Sequence, residues 1–114
     1  MSRLAEAFPD SAFAIALSAP GDGFHMRAVQ LADQMERDGT KIVTTRAVML
    51  EIGNALGKLR YRADAIALLD ALEQDTNVEI VPLTEELFAR SFQLYRARPD
   101  KDWGLVDCVS FSVM

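Results

Sequence analysis

A chain of 114 residues, 50% hydrophobic and 25% charged, is sized for one globular domain with a single core. One cysteine excludes an internal disulfide and any multi-cysteine zinc site, and one histidine means that a metal would have to be held by oxygen, as magnesium or manganese is. A formal net charge of −5 excludes a protein that grips nucleic acid by bulk electrostatics, so any such contact must be local.

In chain order, "RLAEAF" (3–8) is a weak strand closed by Pro9-Asp10, and "SAFAIALS" (11–18) suits a short buried helix capped by Asp10 or Ser11. Glu6, Pro9 and Asp10 argue against a secretion signal. The apolar run from Ala12 to Leu17 is also shorter than the roughly 7–15 residues of a signal core. No stretch approaches the roughly 18 apolar residues of a membrane span, and a cytoplasmic protein is expected. "APGDG" (19–23) reads as a turn. His25 to Arg37 carries Met26, Val29, Leu31, Ala32 and Met35 near the helical period, and Asp38-Gly39 ends that helix. His25 is expected to pack against the first helix.

"KIVTT" (41–45) has the β-branched look of a buried strand. A helix is predicted from Arg46 to Leu59, with a core stripe of Val48, Ile52, Ala55 and Leu59. Another is predicted from Arg62 to Asp75, with Ile66, Leu69 and Leu72 inward. Gly53 and Gly57 are poor helix formers and suggest close approach by another element or chain. "VEIVPL" (78–83) alternates as an edge strand does before a proline. Thr84 then caps a helix whose apolar stripe is Leu87, Phe88, Phe92 and Tyr95, and Pro99 ends it. The segment "KDWGLVDCVSF" (101–111) opens a further helix, with Asp102 as its expected N-cap. Strands alternating with helices give an α/β fold with a largely parallel sheet.

Three acids stand out. Asp107 lies among Leu105, Val106, Cys108 and Val109, where an ionised carboxylate needs a compensating partner. Glu51 flanks the stripe of its helix, and Asp10 follows the first strand. The carboxyl ends of parallel strands are where ligands gather, so Asp10, Glu51 and Asp107 are expected to converge there on a divalent cation. Capping by Asp10, or pairing of Glu51 and Asp107 with Arg46 or Arg90, is the alternative. Two basic clusters, Lys58, Arg60 and Arg62 in "KLRYR" and Arg96, Arg98 and Lys101 in "RARPDK", could offer local phosphate contacts. Each taken alone reads first as a solvated loop.

Four motifs in this order, "DSAF", "GDGFHMRA", "TTRAVMLEIGNAL" and "KDWGLVDCVSF", resemble the PIN-domain family, particularly the VapC-like toxins of toxin–antitoxin pairs. The resemblance spans nearly the whole chain. It implies a three-layer α/β/α domain and an endoribonuclease that cleaves RNA with Mg2+ or Mn2+. It also implies a homodimer silenced by a cognate antitoxin. By position Asp10, Glu51 and Asp107 match the family's metal-binding acids, and Asp102 matches the aspartate before its tryptophan. Ser11 joins Lys58, Arg60 and Arg62 as a candidate substrate contact.

The chain departs from the family pattern in carrying Ser11-Ala12 where Thr-Ser is common, and Gly104 and Val106 where hydroxyl residues are common. It ends at Met114, where the family continues into another strand and a fourth acid. The expected fold is therefore PIN-like but short of its last strand, with weaker metal affinity and an uncovered edge or face that invites pairing. A catalytically silent PIN-like module acting through dimerisation or partner binding is the competing expectation.

Overall fold

The computed structural model describes residues 6–18 and 25–114. Three parallel strands form its sheet among the described residues: β1 (Glu6–Ala7), β2 (Lys41–Thr45) and β3 (Val78–Val81), in the order β1-β2-β3. Ala7 pairs with Ile42, and Ile42 to Thr45 pair in turn with Val78 to Val81. Successive residues of β2 point to opposite faces, yet Val43, Thr44 and Thr45 are all buried, so both faces of the central strand are covered. This is the expected α/β/α layering. The strand reading of residues 3–5 and the turn at 19–23 lie outside the described residues.

Six α-helices are described: α1 (Ser11–Ser18), α2 (His25–Asp38), α3 (Arg46–Ala55), α4 (Arg62–Gln74), α5 (Glu85–Ala97) and α6 (Leu105–Val113). Gly39, with φ of 67°, ends α2 in the left-handed conformation that glycine adopts without steric cost. His25 ties the start of α2 to α1 as expected, its Nδ1–H donating to the Ala16 carbonyl at 2.7 Å. Thr45 and Thr84 cap α3 and α5, each hydroxyl accepting a backbone N–H three residues on at 3.1 Å.

The core has two parts joined by Val106. Val48, Ile52, Leu56 and Ala65 pack with Ile15, Leu68, Leu69 and Leu72 where α1, α3 and α4 meet. Ala47, Leu87 and Val109 pack with Val81 and Val113 between α3, α5 and α6. Helices α5 and α6 approach closely because Ser91 and Ser112 face each other. Each hydroxyl donates to a carbonyl of its own helix, Leu87 at 2.7 Å and Cys108 at 2.8 Å, which satisfies these groups without bulk.

Several sequence expectations are corrected. Helix α3 stops at Ala55 rather than Leu59, so its buried stripe is Val48, Ile52 and Leu56, while Ala55 is exposed and Leu59 is 91% exposed. The chain turns so tightly there that a Cβ on Gly57 would lie 3.2 Å from the carbonyl oxygens of Gly53 and Asn54. Gly53 faces Leu69 of α4, so its close neighbour belongs to the same chain. Ile66 points outward, and on α5 only Leu87 of the four expected stripe residues is buried, beside Ser91. The fully buried Ile52 has no room to rearrange. Ile52→Ala should lower the unfolding free energy by about 2–5 kcal/mol, whereas Leu59→Ala should change it by less than about 0.5 kcal/mol, as read by urea denaturation.

Candidate functional site

Because the strands are parallel, the segments leaving β1, β2 and β3 gather at one edge of the sheet. Asp10 stands there at the entrance to α1. Its Oδ1 accepts the Phe13 N–H at 2.9 Å, which makes it the N-cap of that helix. The next residue, Ser11, donates its hydroxyl to Glu51 Oε1 and so joins α1 to α3. Glu51 reaches this position because α3 begins directly at the end of β2, its phase set by the Thr45 cap, and Glu51 lies about a turn and a half further on. It is half-buried.

Beyond Glu51 a groove of about 260 Å³ runs toward α6, lined by Ala47, Leu50, Phe88 and Val106 among others. Asp107 follows Val106 in the first turn of α6. Its carboxylate is exposed, not enclosed by its apolar neighbours, because as the third residue of the helix it folds back to accept the Gly104 N–H at 2.9 Å. This corrects both expectations for the segment. Asp107 meets no buried-charge penalty, and Gly104, not Asp102, is the N-cap. Asp102 is exposed two residues upstream.

Among the described residues neither Glu51 nor Asp107 pairs with Arg46 or Arg90. Arg46 is engaged by Glu73 of α4, and its hydrogen bond holds the Glu73 carboxyl below the usual range. The pair is exposed, so it stabilises the fold weakly and less as salt rises. It joins the first residue of α3 to the last turn of α4, and Gly53 faces Leu69 further along, so the two helices run antiparallel. The connection carrying Lys58, Arg60 and Arg62 therefore lies at their far end, away from Thr45. Arg62 donates there to the Gly57 carbonyl at 2.7 Å, and Lys58 is exposed.

The structure brings Ser11 and Glu51 into contact, places Asp10 beside them in sequence, and sets Asp107 on the helix across the groove. Among the described residues, no three His, Cys, Asp or Glu side chains stand close enough together to hold one ion. The three carboxylates nevertheless share one arrangement. Each gives one oxygen to a local donor, Phe13 N–H, Ser11 Oγ–H or Gly104 N–H, and its other oxygen makes no hydrogen bond among the described residues. Donors of this kind fix a carboxylate's direction and leave hard oxygen atoms for a cation, so the chemistry of the set fits magnesium or manganese.

The histidine and the cysteine are engaged otherwise. The His25 ring is held by Ala16. Cys108 is fully buried, and burial followed by the Asp107 charge pushes its thiol up. Native Cys108 should therefore react with a disulfide reagent far more slowly than the urea-unfolded chain. Its ionisation also sets a direction for stability: from about pH 9 upward the unfolded thiol ionises before the folded one, so stability falls with rising pH. Cys108→Ala should flatten that decline in denaturation curves taken across this range.

The Ser11–Glu51 bond was not foreseen as a bond, although a serine directly after a capping aspartate was its signal. The Asp107–Gly104 bond also had a signal, an acid three residues after a residue able to start a helix.

Comparison with known proteins places the fold. No curated protein sequence matches the chain. Among solved structures it is similar to the crystal structure of Mycobacterium tuberculosis VapC20, described as a Sarcin-Ricin loop cleaving toxin. The TM-score is 0.82 at 24% identity, over 94% of this chain and 79% of that one. At that identity the likeness speaks for the fold, which is shared along nearly the whole chain. The family profile described as PIN domain matches residues 7–114, and with that span matched the chain belongs to the PIN domain family.

Proposed function

We propose that the chain is a metal-dependent endoribonuclease of the VapC-like toxin type. The observation that carries this reading is the common state of Asp10, Glu51 and Asp107, each oriented by one hydrogen bond with its second oxygen left over among the described residues, on a PIN-family fold. Asp10, Glu51 and Asp107 would hold Mg2+ or Mn2+, which when bound supplies water activation and offsets the charge that builds on the phosphate.

The chain's own contribution is positioning. Ser11 keeps Glu51 turned toward α1, the Gly104 amide keeps Asp107 at the start of α6, and Phe13 keeps Asp10 at the end of its loop. Asp102, exposed two residues before the α6 cap, would assist, and Lys58, Arg60 and Arg62 would meet more distant phosphates. A cognate antitoxin, a homodimer and a cytoplasmic location belong to the same reading. No helix among the described residues is long and apolar enough to cross a membrane.

The second reading, a silent PIN-like module that works by dimerisation or partner binding, is favoured by one observation: the acids are not gathered into a single ligand set among the described residues. Cleavage decides between the two. The purified chain is incubated with structured RNAs, including transfer RNAs and a sarcin–ricin hairpin of the kind named for VapC20, with manganese, magnesium or excess EDTA. Discrete cuts that need metal establish the nuclease. A folded chain that cuts nothing leaves the binding module.

A further inference from the structure

The second basic cluster, Arg96, Arg98 and Lys101, surrounds a cavity of about 400 Å³ between α5 and the segment entering α6. Its wall is aromatic. Phe92 and Tyr95 are 40% and 45% exposed, and Trp103 packs edge-on against Phe111 with ring centres 4.8 Å apart. All three cations rest against these rings: Arg96 is 4.7 Å from the centre of Phe92, Arg98 5.5 Å and Lys101 5.9 Å from that of Trp103. Among the described residues only Arg98 also has a carboxylate partner, Asp100, which it meets at 3.0 and 3.1 Å.

We propose that this groove seats single-stranded RNA, with a base stacked on its aromatic wall and flanking phosphates taken by Arg96, Arg98 and Lys101. The ligand class rests on the ribonuclease reading; the place of binding is new. Arg96 and Lys101 rest on ring faces with no carboxylate partner among the described residues, so they can turn to a phosphate while a ring accepts a base, whereas Arg98 would exchange Asp100 for a phosphate. In a chain of net charge −5, such a groove is a local exception that would attract a polyanion. An acidic peptide would use the cations but leave the π faces unused. The groove also lies next to Asp107 along the chain, since Trp103 precedes Gly104, whose amide holds that carboxylate.

Trp103 is the sole tryptophan, so its fluorescence reports this groove alone. A short oligouridylate is titrated into the full chain in EDTA, where nothing is cut, with anisotropy of the labelled RNA read in parallel. Saturable quenching of Trp103 that tracks anisotropy is expected. Arg96→Ala and Lys101→Ala should each weaken binding and lower its salt slope by about 1, and Tyr95→Ala should weaken it at least about fivefold. Lys41→Ala, at the opposite end of β2, should bind as the parent does, and circular dichroism confirms that each variant is folded.

Absence of binding, binding that leaves Trp103 emission unchanged, or equal affinity for polyglutamate overturns the proposal. Metal-free binding and metal-dependent cutting are separate readouts. A chain that cuts RNA without quenching Trp103 loses only the groove, and one that quenches but never cuts loses only the nuclease.

Discussion

Glu51→Gln should cut RNA at least about a hundredfold more slowly than the parent chain while unfolding at the same denaturant concentration or a higher one. Glutamine has nearly the shape of glutamate, and its amide oxygen can still accept the Ser11 hydroxyl, so the link between α1 and α3 survives. What disappears is the negative charge on a half-buried oxygen at the carboxyl edge of the sheet. A merely structural Glu51 would leave cutting intact under the same substitution. Ser11→Ala separates orientation from charge: it removes the donor, keeps the carboxylate, and should slow cutting by about 10-fold to 100-fold, with partial recovery as metal concentration is raised.

At Asp107 two substitutions should split activity from stability. Asparagine retains an oxygen for the Gly104 N–H, so Asp107→Asn should remain close to the parent in stability and lose cutting at least about a hundredfold. Alanine removes both functions. Asp107→Ala should lose cutting to the same extent and also about 0.5–2 kcal/mol of unfolding free energy, the usual cost of an unmade helix-terminus bond. Single-turnover cleavage and urea denaturation on the same preparations check the pair. Equal activity of the asparagine variant and the parent would confine Asp107 to a capping role.

Local rules made much of this fold legible. β2 and the starts of α3, α4 and α5 lie where β-branching, Thr45, Thr84 and helical spacing put them, because those signals act within a turn or two. What failed depended on the third dimension. Periodicity counted Leu59 as core, but it could not foresee a turn at Gly57 that carries the chain away from α3. Phe88, Phe92 and Tyr95 share a helical face that sequence reads as buried, yet only Leu87 and Ser91 of α5 are buried. The remaining rings stay exposed and line grooves instead.

The acids show the same division. Asp10 and Glu51 stand at the carboxyl edge as parallel topology predicts, but the three acids are not gathered into one ligand set among the described residues. The surroundings of Asp107 were not legible in sequence, because apolar neighbours in sequence on a helix point around its circumference and need not enclose the side chain. Its exposure replaces the demand for a buried partner with a plainer role, a carboxylate held outward by the first turn of its own helix. Glu51 kept the half-buried position expected of it, with Ser11 as the donor that the sequence did not pair with it.

The most direct test of the account is calorimetric titration of Mn2+ into the parent chain, Glu51→Gln and Asp107→Asn, all shown to be folded. Saturable binding to the parent that is lost or strongly weakened in both variants is expected, since residues from α3 and α6 would then hold the same ion. Manganese binding that is absent from the parent, or unchanged in both variants, would contradict a shared metal site at this edge of the sheet.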